Sequence, residues 1–204
     1  MAVFPYPGGY GAYQGGDGLV HGVTPQSMAN FMSIEMSEHR YPVRFKHFAL
    51  REDSGGAGEF RGGCGTTYSF EPWSDCLVSV LGDRVDHVPF GVAGGKSAAP
   101  NEVKYRSGNE EVVPALRSKY EKQPMKAGDL VMNSSPGGGG FGNPLARALE
   151  SVELDLNLGY ISRATAERDY GAVIAEVRQA GEYTRYTLDM TASEKNRKNL
   201  GATT

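Results

Sequence analysis

The chain's 204 residues suit one domain, or one compact body with a small appendage, and carry 21 basic against 24 acidic side chains. This near balance excludes the basic excess of a nucleic-acid binder and the like-charge block of a solvated tail. The longest apolar runs fall far short of a membrane span, no basic-then-apolar leader opens the sequence, and a cytoplasmic location is expected.

In chain order, residues 2–6 read as a strand fragment beginning almost at Met1, which points to pairing with another chain. A glycine/tyrosine loop follows at 8–18, ending in Gly15-Gly16-Asp17-Gly18, and Thr24-Pro25-Gln26 can start a short helix or turn across 27–31. Residues 41–50 alternate Val43, Phe45, His47 and Ala49 against Arg44, Lys46, Phe48 and Leu50, the period of a strand. Residues 65–70 and 76–81 read as further strands joined by a Pro72-containing turn, with weaker candidates at 102–105 and 129–134.

The last quarter changes character. Asn143-Pro144 suits a helix start, and Leu145, Leu149, Val152 and Leu156 continue at helical spacing up to Gly159. Ser162 is placed to cap a second helix ending before Gly171. Residues 173–178 and 183–188 form a candidate hairpin around Gly181, and Thr191-Ala192-Ser193-Glu194 fits a capping box for a final helix. The pattern predicts an α+β fold, with a β-rich body at 1–142 built of short strands and glycine loops, then a helical segment at 143–204.

Glycine is the informative excess, at 28 residues, about twice ordinary usage. It clusters at 8–18, 55–65, 91–95 and 137–142, where the backbone needs positive φ or close approach to another backbone. Such loops cost conformational entropy, so something else, such as a partner surface, is expected to hold them. Cys64 and Cys76 match no metal or redox spacing and are expected as reduced, buried thiols.

Asp53-Ser54-Gly55-Gly56-Ala57-Gly58-Glu59-Phe60-Arg61-Gly62-Gly63 resembles a signature of the hydantoinase B/oxoprolinase family. Gly15-Gly16-Asp17-Gly18 precedes it. Leu81-Gly82-Asp83-Arg84, Gly94-Gly95, Gly128-Asp129, the run from Pro136 to Pro144 and Asp169-Tyr170-Gly171 follow in the family's order. Two departures stand out. B-type subunits of the family are much longer, and Ser97-Ala98-Ala99 replaces a glycine often found after Gly94-Gly95.

The resemblance implies a C-terminal portion of a B-type subunit in an ATP-dependent enzyme that opens a cyclic amide, or a subunit of a related acetone or acetophenone-type carboxylase. A non-catalytic assembly module is the further alternative. ATP and a divalent metal are expected in the complex, held by a hydantoinase A-type ATP-binding subunit and by the N-terminal part of a B-type subunit. The expected state is therefore a hetero-oligomer, with no metal site in this chain.

Asp83 and Arg84 are the catalytic candidates, since a carboxylate beside a guanidinium can orient a substrate amide or carboxylate. An ion pair anchoring the neighbouring loops is the equal alternative. Gly137, Gly138, Gly139 and Gly140 are substrate-binding candidates, because consecutive N–H groups can line an anion site, and Asp17 joins them. No Gly-Lys-Ser/Thr follows, so a tight structural loop is the competing reading. Asp53-Ser54 reads as a turn in which Asp53 accepts from the following N–H groups, and Arg61 as its anchor. Among the histidines, His21 is singled out as facing a catalytic partner, and His47 is expected to pack within its strand.

Overall fold

The computed structural model describes residues 7–22 and 32–201, so the elements expected at 2–6 and 27–31 lie outside the described residues. The fold is α+β. The described residues form helices α1 (Ile34–Arg40), α2 (Leu149–Asn157), α3 (Arg163–Tyr170) and α4 (Met190–Gly201). The strands are β1 (Val43–Leu50), β2 (Thr66–Pro72), β3 (Cys76–Leu81), β4 (Glu102–Ser107), β5 (Glu110–Val112), β6 (Lys119–Met125), β7 (Leu130–Ser134), β8 (Ile174–Ala180) and β9 (Tyr183–Leu188). No described helix is long and apolar enough to cross a membrane.

Five strands form an antiparallel sheet in the order β1-β2-β7-β4-β5, while β3-β6 and β8-β9 are separate two-stranded ribbons. One face of the sheet buries Val43, Tyr68, Phe70 and Val131 against Met125, Cys76 and Val78 of the β3-β6 ribbon. The alternation expected across 41–50 breaks in the middle. A register shift between Phe45 and His47 places Phe48 opposite Tyr68 and leaves His47 exposed. A bulge inserts one residue and turns later side chains to the other face, so Phe48, and not His47, joins the core.

A second core gathers the tail: Leu149, Val152, Leu156, Ile161, Ala166, Tyr170 and Leu188 pack together with Ala57 of the signature loop. Ser162 Oγ accepts from Thr165 N, and Gly171 closes α3 at φ 62, as the caps predict. The helix expected from Pro144 divides in two. Asn143 caps a 3₁₀ turn at Pro144–Ala146, Arg147 adopts extended backbone, and α2 begins at Leu149. The final helix also starts earlier than its expected box: Asp189 Oδ1 accepts from Ala192 N, while Ser193 is buried and accepts from Val173 N.

Candidate functional site

Between the two cores the glycine clusters pack backbone on backbone. Gly138 N donates to Gly63 O at 2.9 Å, Gly56 N to Gly138 O at 2.8 Å, Ala12 N to Gly139 O at 2.9 Å, and Gly140 N to Lys96 O at 3.0 Å. Four distant segments thus interlock by lateral hydrogen bonds without side chains between them. A Cβ on Gly138 would lie 1.8 Å from Tyr10 O, and one on Gly139 would lie 1.9 Å from Phe90 O. The same geometric exclusion makes glycine obligatory at the axis of a collagen triple helix. Gly137, Gly138, Gly139 and Gly140 are all buried, and the N–H groups of Gly138 and Gly140 are taken up by carbonyls of this chain. Ser97-Ala98-Ala99 is accommodated at the margin, where Ala98 N donates to Pro89 O and Ala99 N to Ser54 O.

A buried ionic knot fastens this bundle to the tail. Arg147 donates through both terminal nitrogens to the two oxygens of Asp17, each at 2.7 Å, and pairs with Asp155 at 2.8 Å. Arg61 Nε meets the same Asp155 oxygen at 3.1 Å, Arg61 N donates to Asp17 at 2.7 Å, and the Arg61 guanidinium lies 4.7 Å from the Tyr160 ring centre. Arg61, Arg147 and Asp155 are all buried. Two positive and two negative groups balance, which makes their burial tolerable. Burial alone would raise the Asp17 carboxyl, but the hydrogen bond and charge of Arg147 outweigh it and hold the group below its ordinary range. For Arg147 burial opposes the charged form, and Asp17 and Asp155 more than offset it, so its pKa is raised.

Further fasteners run from the same loops to the tail. Buried Asp169 accepts from Lys96 Nζ at 2.7 Å and from Arg168 Nε at 2.8 Å. Asp53 lies in a turn, as expected, with Ser54 N donating to Arg51 O at 3.3 Å, but its side chain plays another part than capping the following N–H groups. Its backbone is left-handed, at φ 58, and its carboxylate accepts from Ser162 N at 2.8 Å, far along the chain. Ser54 is fully buried, donating to Arg51 O and accepting from Gly65 N, which leaves its hydroxyl no access to a substrate. His21 packs edge-on to Phe48, with burial lowering its pKa. Cys64 is buried and Cys76 half-buried, and neither is in a disulfide.

Asp83 and Arg84 stand elsewhere, just beyond the end of β3. Asp83 is exposed and pairs with Lys119 at 2.9 Å; the hydrogen bond from Lys119 lowers its pKa. Together with Val85, His87, Leu116 and Lys119 they line a depression of about 490 Å³. Among the described residues no hydrogen bond or ion pair joins Asp83 or Arg84 to Asp17 or to 137–140. The sequence-predicted residues therefore fall in two places, a buried bundle and an open depression. Also among the described residues, no group of three or more His, Cys, Asp or Glu side chains is placed to hold a metal ion.

Sequence reasoning does not single out Arg147, Asp155 or Lys96 as members of this arrangement. The signal available is Asp155 itself, an acidic residue three positions after Val152 on the otherwise apolar buried face of α2.

A profile of the hydantoinase B/oxoprolinase family matches residues 1–144. The chain belongs to this family. Among family relatives, the beta subunit of the caprolactamase of Pseudomonas jessenii is 36% identical over 144 residues, 69% of this chain and 25% of that protein. A solved structure of the ATP-dependent caprolactamase from the same species superposes with a TM-score of 0.70 at 30% identity, over 94% of this chain and 32% of that one. The B subunit of a putative D-/L-hydantoinase from Pseudomonas sp. (strain NS671) is 30% identical over 169 residues, 83% of this chain and 28% of its own length. The nucleotide-free acetone carboxylase structure shares the fold, with a TM-score of 0.79 over 97% of this chain and 30% of that one, at 23% identity. The chain thus spans about a quarter of the length of these curated relatives. The likeness to solved structures extends past residue 144 into the tail, in keeping with the ionic knot that ties the tail to the glycine bundle.

Proposed function

We propose that this chain forms the C-terminal part, or a small subunit, of an ATP-dependent enzyme that hydrolyses a cyclic amide. The observation that carries this reading is its alignment, over 69% and 83% of its length, with chains named as caprolactamase and hydantoinase subunits. In such an assembly ATP supplies the phosphoryl group that activates the amide carbonyl toward water. ATP and the divalent metal reside on an A-type ATP-binding subunit and on the N-terminal part of a B-type subunit, in a cytoplasmic hetero-oligomer.

This chain's own role is to build one wall of the substrate cavity and part of the subunit interface. The glycine bundle at 137–140, with Asp17 fixed by Arg147, gives that wall a rigid backbone framework. Asp83 and Arg84, in the separate open depression beyond β3, are assigned to substrate contact. The fold likeness to acetone carboxylase supports a second reading, a carboxylase subunit, at the level of architecture.

Reconstitution tests the assignment. The chain is co-expressed with an A-type chain and with the N-terminal part of a B-type chain. The complex mass is measured, and ATP-dependent ring opening of hydantoin, 5-oxoproline and caprolactam is assayed. Arg84→Lys and Asp83→Asn should each lower turnover by about ten-fold or more while the complex mass stays unchanged, since lost charge-assisted contacts are worth roughly 1.5–3 kcal/mol. Full turnover in both variants assigns this surface to assembly alone.

A further inference from the structure

The depression beside Arg84 is built on backbone that its residues do not favour. Arg84 has φ 66 and Arg117, on the facing segment, has φ 57. Left-handed backbone is disfavoured for residues with a Cβ and persists where surrounding structure fixes it, and such positions concentrate at binding sites. Here the fixing contacts are explicit. Asn101 N donates to Arg84 O at 2.9 Å, and Gly82 N to Ser118 O at 2.9 Å. Ser118 Oγ returns a bond to Gly82 O at 3.0 Å, and Arg117 N donates to Pro114 O at 2.7 Å.

The other charges around the depression are already paired. Lys119 holds Asp83 at 2.9 Å, and Arg117 holds Asp86 at 2.5 Å. Among the described residues the Arg84 guanidinium makes no hydrogen bond or ion pair, and Arg84 lines the open depression of about 490 Å³ together with the carboxylates of Asp83 and Asp86. Leu116, 72% exposed, and Val85 add apolar wall beside it. A planar two-pronged donor next to exposed aliphatic surface matches a carboxylate carried on a short apolar body.

We infer that Arg84, with Leu116 and Val85, forms a binding site for a small aliphatic carboxylate, with Arg84 gripping the carboxylate and the two aliphatic side chains covering the hydrocarbon. This deepens the proposed function and rests on its assignment of Asp83 and Arg84 to substrate contact. Ligand binding by the chain alone nevertheless needs neither ATP nor partner subunits, so the two can fail separately.

The test is an NMR titration of the isotope-labelled chain with butyrate, its neutral isostere butyramide, and inorganic phosphate at matched ionic strength. Butyrate should saturably shift the Arg84 side-chain resonance and the amides of 83–87 and 116–119, with an affinity at least ten-fold above that of butyramide. Arg84→Gly should abolish those shifts while leaving the melting temperature unchanged or higher, because glycine relieves the left-handed backbone. A variant needed only for structure would melt lower and keep the shifts. Arg163→Gln, on the surface of α3, should bind as the parent does. Equal binding of butyrate and butyramide, or shifts that survive Arg84→Gly, would overturn the site, and tighter binding of phosphate would overturn its carboxylate class.

Discussion

Gly139 has no room for even one methyl group, because the obstacle 1.9 Å from its Cβ position is the carbonyl of Phe90, a backbone atom that cannot swing away. Gly139→Ala should destabilise the chain by about 3 kcal/mol or more, at the upper end of overpacking costs. Gly11→Ala is the matched control, since the nearest atom to its Cβ lies at 3.9 Å and its backbone is not left-handed. Urea unfolding of the two variants should show a large midpoint drop for the first and almost none for the second. Arg147 makes the complementary case in charge. Arg147→Ala leaves Asp17 and Asp155 without their principal cation and should cost about 3–5 kcal/mol. Arg147→Met combined with Asp17→Asn removes opposite charges together, leaves the Arg61–Asp155 pair in place and should recover much of that loss, measured in the same unfolding assay.

At the scale of elements, the tail is bound to the glycine loops by Arg147–Asp17, Arg61–Asp155, Lys96–Asp169 and the Asp53 bond to Ser162. A chain ending at residue 142 loses every tail partner in that set. It also uncovers Ala57, which packs in the tail's core. It should lose cooperative unfolding and bind a hydrophobic dye, both read directly in a thermal melt. Much of this architecture is legible in the sequence. Ser162 and Gly171 bracket α3 through local capping chemistry, and the β8-β9 hairpin matches the two segments expected around Gly181. What escapes is set by long-range contacts. The bulge near Lys46 answers to β2 across the ladder. The break at Arg147 turns that side chain toward Asp17, 130 positions earlier in sequence. No local period encodes either. The candidate site is legible in part for the same reason: motif order points to the glycine loops, while the knot that closes them depends on Asp155, which periodicity alone reads as an ordinary helix residue.

For the molecule as a whole, Asp17 and Asp169 share one electrostatic signature. Burial pushes both carboxyls up, and their arginine and lysine partners more than reverse this, so both folded values lie below the ordinary 3.8. Such groups contribute stability that is fully present above the unfolded value and lost as pH falls through the folded one. Stability should therefore hold from neutral pH down to about 4 and decline below it, and Asp17→Asn should flatten that decline in urea titrations at stepped pH. The backbone-on-backbone bundle has a consequence for heat as well. A conventional core of this volume exposes hydrocarbon on unfolding and raises the heat capacity, whereas peptide groups entering water lower it. Because the centre of this molecule is filled with peptide groups, its heat-capacity increment should fall below the roughly 12–15 cal/mol/K per residue of ordinary domains. Its stability curve would then be broad and shallow, changing little between cold and warm conditions.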